Sequence, residues 1–174
     1  MDTTTGTETE AASKRGGLSP RDILLARRSE AAAATTIDLD IPGYKGALVA
    51  RYRLLDATIE GRQIAERLEK NYADPVDRNY YGALDTLIAA CTGFYYRDQE
   101  GSLTLIDDDG MGPMGYDKRL ADFLEFPSDS ARHTVEQVFN NRSVALLAHV
   151  RDLNAWMEHP TSAAALGEAQ AGKS

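Results

Sequence analysis

Cysteine occurs once in the 174 residues, tryptophan once and histidine three times. The lone Cys91 excludes an internal disulfide, and its place in the apolar run LDTLIAAC marks it as a small buried side chain rather than a nucleophile. No run of about 18 apolar residues is present, so no membrane partner is expected. The opening MDTTTGTETE lacks the charged-then-apolar layout of a secretory signal, and the reading is a cytosolic protein. Basic residues are also in deficit, 19 Lys and Arg against 27 Asp and Glu, a net charge of -8. Coating nucleic acid needs clustered Lys and Arg to neutralise phosphate, so no nucleic-acid partner is expected either.

What is present suits one modest domain, with 43% hydrophobic and 26% charged residues. Residues 1–36 hold five acids and five bases, and residues 159–174 hold one of each. Residues 37–158 therefore carry the whole imbalance, 21 acids against 13 bases. The first dozen residues and the closing SAAALGEAQAGKS have almost nothing to bury, which predicts a disordered arm and a disordered tail over 159–174. Within the arm, SPRDILLARRSE offers an N-cap serine, a proline at the first helical position and Asp22 in the first turn, predicting a short helix near 19–30. A linker over Ala31 to Thr36 and a domain boundary near residue 36 follow.

The folded part opens with Ile37, Leu39 and Ile41 alternating with Asp38 and Asp40, then PGYKG, then a Val- and Tyr-rich run, which predicts a β-hairpin. Ile59, Ile64 and Leu68 recur at helical spacing. After Asp74-Pro75, Tyr80, Leu84, Leu87, Ile88 and Cys91 predict a central helix reaching about Phe94. FYYRDQEGSLTLID reads as a second, small hairpin, and KRLADFLEF as a short helix stopped by Pro127. Ser128 or Ser130 starts a helix with Ala131, Val135, Val138 and Phe139 on one face. Asn140-Asn141 interrupts it, and Ser143 is placed to cap a final helix. The expected fold class is α+β and mostly helical: an N-terminal β-hairpin, a second small β-hairpin and a bundle of four to five helices in a single domain over 37–158.

Several stretches imitate chemistry. Gly110 to Gly115 matches G-x-G-x-x-G, but Asp107, Asp108 and Asp109 directly upstream would repel phosphate and Pro113 removes a backbone donor. Read as a calcium loop, the same segment places Leu105 and Tyr116 where the end carboxylates must stand. Asn141-Arg142-Ser143 is a chance sequon. His133, His149 and His159 have neither the spacing nor the partners of a metal site, and nothing assembles a nucleophile, a base and an orienter. No catalytic, cofactor-binding or metal-binding residue is assigned, and no enzyme is expected.

Four segments in order carry a resemblance: IPGYKGALVARYRLLD, LDTLIAAC followed by GFYYRDQEGSL, YDKRLADFL, and VFNNRSVALLAHVRDLNAWM. Over roughly Asp38 to Met157 the chain resembles the tail assembly chaperones of long-tailed bacteriophages, in particular those of actinobacteria. Family members often carry Asp where Asn141 or Arg142 stands here, and FYY is less usual; these departures touch surface charge more than pattern. The resemblance implies a non-catalytic protein of the host cytoplasm that keeps the helical tape-measure protein soluble. Such proteins are displaced as tail-tube subunits polymerise and are absent from the mature virion. It also implies a longer, frameshifted form that recruits tail-tube protein, this chain being the short form.

On the final helix, Leu147, Val150, Leu153 and Met157 fall at steps of three or four, with Trp156 beside them. These five are the candidate partner interface: a stripe packed mainly inward with one edge exposed to the client, or alternatively a helix buried altogether. Self-association along the client is a further expectation. A small structural virion protein, of the head-tail connector or tail terminator type, is the other class that an acidic, site-free α+β chain fits.

Overall fold

A computed structural model describes residues 17–107 and 109–160; the predicted disorder over 1–16 and 161–174 lies outside the described residues. In order the elements are α1 (Pro20–Ala34), β1 (Thr36–Asp40), β2 (Leu48–Arg53), α2 (Arg62–Asn71), α3 (Pro75–Ala90) and β3 (Cys91–Arg97). β4 (Leu103–Leu105), α4 (Lys118–Phe123), α5 (Ala131–Val138) and α6 (Ser143–Glu158) complete them, with a π-helical turn over Ala57–Gly61, which holds Ile59, leading into α2. The fold is α+β and mostly helical.

β1 and β2 form the first hairpin, with Ile37 opposite Tyr52 and Leu39 opposite Ala50. Its turn needs glycine: Gly43 has φ 95°, and a Cβ there would lie 3.0 Å from the Asn140 side chain. β3 and β4 form the second hairpin. The two are not separate. β2 also pairs with β3, Ala50 opposite Phe94, giving one antiparallel sheet in the order β1-β2-β3-β4, with an irregularity at Arg51/Tyr52. The ladder joins residues about forty apart, across the α2-α3 pair. A two-residue period marks each strand but says nothing about which distant strand it meets.

Four boundaries differ from the sequence expectation. α4 ends at Phe123 and the chain turns at Glu125, φ 57°, before the expected stop at Pro127 is reached. α1 runs through Ala34, where a linker from Ala31 was expected; alanine is the strongest helix former, and only Thr35 separates α1 from β1. α3 stops at Ala90 rather than near Phe94, and Cys91 turns extended to start β3 with no loop, as the Thr and aromatic residues of CTGFYYR favour. Ser143 is the first residue of α6 and not its cap; Arg142 holds that position without a side-chain bond. Asn140 and Asn141, at φ 53° and 56°, turn the chain there instead. Elsewhere the caps are as read: Asp74 accepts from the Val76 amide at 2.7 Å with Pro75 following, and Ser130, of the two serines considered, accepts from the His133 amide at 3.2 Å.

One core joins the sheet to the helices. Tyr52 and Phe94 from the sheet meet Leu84 and Leu87 of α3, Leu120 of α4, Val135 and Val138 of α5, and Leu146 and Leu153 of α6, all buried. No helix among the described residues is long and apolar enough to cross a membrane.

Candidate docking groove

The helix bearing the candidate interface is sided. Leu146, His149, Val150, Leu153 and Trp156 are buried, while Val144, Arg151, Asp152, Asn154 and Ala155 are exposed. Of the five candidate residues, Val150, Leu153 and Trp156 belong to the core, at 5%, 0% and 3% exposure. Met157 packs half-buried against that core. Leu147 is half-buried, and with Val150 it lines an open groove.

That groove, of about 580 Å³, runs between α2, α3 and α6. Ile64 and Ala65 come from α2, Gly82 and Ala83 from α3, Leu147, Val150 and Ala155 from α6. Gly82, Ala65, Ala83 and Ala155 make part of the floor small-sided, beside Ile64, Leu147 and Val150. α2 and α3 cross so closely at Gly82 that a Cβ there would meet the Leu68 Cδ1 at 3.0 Å. Polar side chains rim it: Arg78, Asn79, Arg151, Asn154 and Glu158. An apolar floor between charged rims suits an apolar helix face whose flanking residues stay wet. Gly82-Ala83, Ala65 and Ala155 were not singled out from the sequence. Small residues on three helices are the signal, and it acquires meaning only when those helices are neighbours.

Two polar clusters hold the groove walls in place. Asp85 of α3 receives Arg132 of α5 at 2.8 and 2.9 Å and Arg67 of α2 at 3.0 Å. The Arg132 guanidinium also lies 4.9 Å from the centre of the Tyr81 ring and donates to Tyr72 at 2.7 Å. Behind α6, the Tyr52 hydroxyl bonds that of Tyr116 at 2.6 Å and His149 Nε2 at 2.9 Å. Burial holds the His149 pKa down at about 4, so the imidazole is neutral near pH 7. Burial likewise raises Tyr52 and Tyr116 well above the phenol range.

The chemical look-alikes resolve into structure. Burial pushes the Cys91 thiol up to about 12, which leaves it without thiolate character near neutral pH. In the acidic loop, Arg119 binds Asp109 through two nitrogens and donates to the Gly112 carbonyl at 3.0 Å. The Arg119 guanidinium, with help from the Met111 amide, holds the Asp109 carboxyl down at about 2. An arginine thus occupies the position in which a bound cation would neutralise these carboxylates. Among the described residues no group of three or more His, Cys, Asp and Glu is placed to hold a metal ion.

No family model, curated protein or solved structure matches the chain.

Proposed function

We propose that the protein is a non-catalytic tail assembly chaperone of a long-tailed bacteriophage, which holds the tape-measure protein in the host cytoplasm through the α2-α3-α6 groove. The observation that carries this reading is the groove: an apolar floor through Ile64, Leu147 and Val150, open along one helix face and rimmed by Arg78, Arg151 and Glu158. A tape-measure protein is a long helix that exposes apolar surface until a tube encloses it. Holding it reversibly calls for a shallow groove that shields a few side chains at a time, on a body charged enough to stay dissolved. Residues 37–158, with 21 acids and 13 bases, have that charge. The four-segment resemblance names the client; the groove supplies a place for it.

A non-catalytic role agrees with the state of the most reactive side-chain types. The Cys91 thiol is protonated, and His149 is neutral and committed to Tyr52. Release follows from the openness of the groove, since a client held along one face yields to tail-tube subunits. Tail-tube protein is recruited through a longer, frameshifted form, and the short form stays out of the mature virion.

Co-expression with the tape-measure protein of the same genome tests the reading. Soluble tape measure that co-elutes with several copies of this chain is the expected result. Insoluble tape measure, with this chain found instead in purified particles, overturns it in favour of a small structural virion protein.

A further inference from the structure

Among the described residues nothing covers the first part of α1. Every described side chain from Pro20 to Glu30 is exposed, Ile23, Leu24 and Leu25 among them, and so is the preceding Leu18. Its start is nevertheless well built. Pro20 stands at the first helical position, the Asp22 amide donates to Ser19 Oγ at 3.1 Å, and the Ser19 hydroxyl donates back to the Asp22 carboxylate at 2.7 Å. An isolated helix of about 15 residues is marginal in water, and a cap does not compensate for four bare aliphatic side chains at one end. This apolar tip wants a groove.

The tip does not lie in its own groove: its side chains are exposed. Only Thr35 lies between the last residue of α1 and the first of β1, and β1 is fixed in the sheet along five residue pairs. With one residue of slack, α1 reaches its own groove only by a large reorientation at Thr35. A second copy has no such restriction.

We propose that the α1 tip of one copy seats in the α2-α3-α6 groove of a second copy. The dimensions agree: from Leu147 to Glu158 the α6 wall rises about 17 Å, and α1 is about 22 Å long. Charge favours the pairing: over its whole length α1 carries three arginines against two acids, and it approaches a body in which acids exceed bases by 21 to 13. The same patch does not meet itself, so the contact is heterologous, and successive copies join head to tail. A client of the groove must then displace a tip, so on the function proposed above the protein covers its own groove until the client arrives. The self-association needs no client, and its test contains none.

Sedimentation velocity of the full chain, at low and high salt, reads the contact, with two full-length variants. Leu24→Asp/Leu25→Asp changes only exposed arm residues, and Ala155→Arg fills the groove from an exposed position. The expected result is concentration-dependent association of the parent chain, weaker at high salt. Each variant alone should associate at least 10-fold more weakly. Mixed, the two should form a one-to-one dimer that grows no further, because the mixture retains one intact arm and one intact groove. A mixed dimer also shows both variants folded. The proposal is overturned if the parent chain stays monomeric at low salt, if either folded variant associates like the parent, or if the mixture forms no dimer.

Discussion

Arg132 grips Asp85 side-on, Nε to one carboxylate oxygen at 2.8 Å and a terminal nitrogen to the other at 2.9 Å, and so ties α5 to the middle of α3. Asp85 has only 7% of its side chain exposed, so the pair is a structural joint rather than a surface contact. Arg67 adds α2 to the same carboxylate, which makes Asp85 the point where one wall of the groove is fixed.

Removing one partner therefore costs more than the pair contributes. Asp85→Ala should lower unfolding free energy by about 1–2 kcal/mol, because Arg132 and Arg67 lose the carboxylate they share, while Arg132 keeps its bond to Tyr72 and its contact with water. Arg132→Lys should also destabilise, since an ammonium loses both the paired geometry and the stacking on Tyr81. Urea titration followed by circular dichroism measures both. A change within about 0.5 kcal/mol for Asp85→Ala would show that the joint carries no load.

His149 gives the fold an acid limit. Its imidazole titrates near 4 in the folded chain against an ordinary 6.5, mainly because it is buried. Above pH 6.5 it is neutral in both states and the fold is unaffected. As pH falls from 6.5 towards 4, the unfolded chain takes a proton that the folded chain refuses, and about 3 kcal/mol is lost across that window. Asp109 and Glu60, both held near 2, lose their contribution only at lower pH, below the ordinary carboxylate range. Thermal melts at stepped pH should show the first loss between 6.5 and 4, and His149→Gln should flatten it.

Along α6, neighbouring residues should behave in opposite ways. Trp156→Ala opens the core and should cost about 3–5 kcal/mol, with any loss of client binding following from unfolding. Leu147→Asp changes a half-buried groove residue, so it should leave the far-ultraviolet spectrum native and, on the function proposed above, abolish co-elution with the tape-measure protein. Equal client binding by Leu147→Asp and the parent chain would remove the groove from the docking surface.

The turn between α5 and α6 places Asn141 at φ 56°, exposed to solvent. Asn141→Gly should leave stability within about 0.5 kcal/mol, whereas Asn141→Val should cost about 1–2 kcal/mol, because a β-branched side chain clashes in the left-handed region. Differential scanning calorimetry separates the two; equal melting temperatures would refute the strain argument.

The sequence by itself determined the local structure. Ser19-Pro20, Asp74-Pro75 and Ser130 start their helices where side-chain oxygens can take free amides, and the alternation from Ile37 to Ile41 makes a strand. These are effects between residues a few positions apart, so periodicity and capping chemistry reveal them. Tertiary structure alone decided the rest. The two hairpins became one sheet because Ala50 meets Phe94 across the whole α2-α3 excursion. The apolar stripe of α6 was legible, but its division was not: Val150, Leu153 and Trp156 are buried because the core lies against that side, and Leu147 looks onto a groove left between α6 and the α2-α3 pair. A repeat of three and four fixes which residues share a helix face, while the neighbouring elements decide which edge of that face stays open.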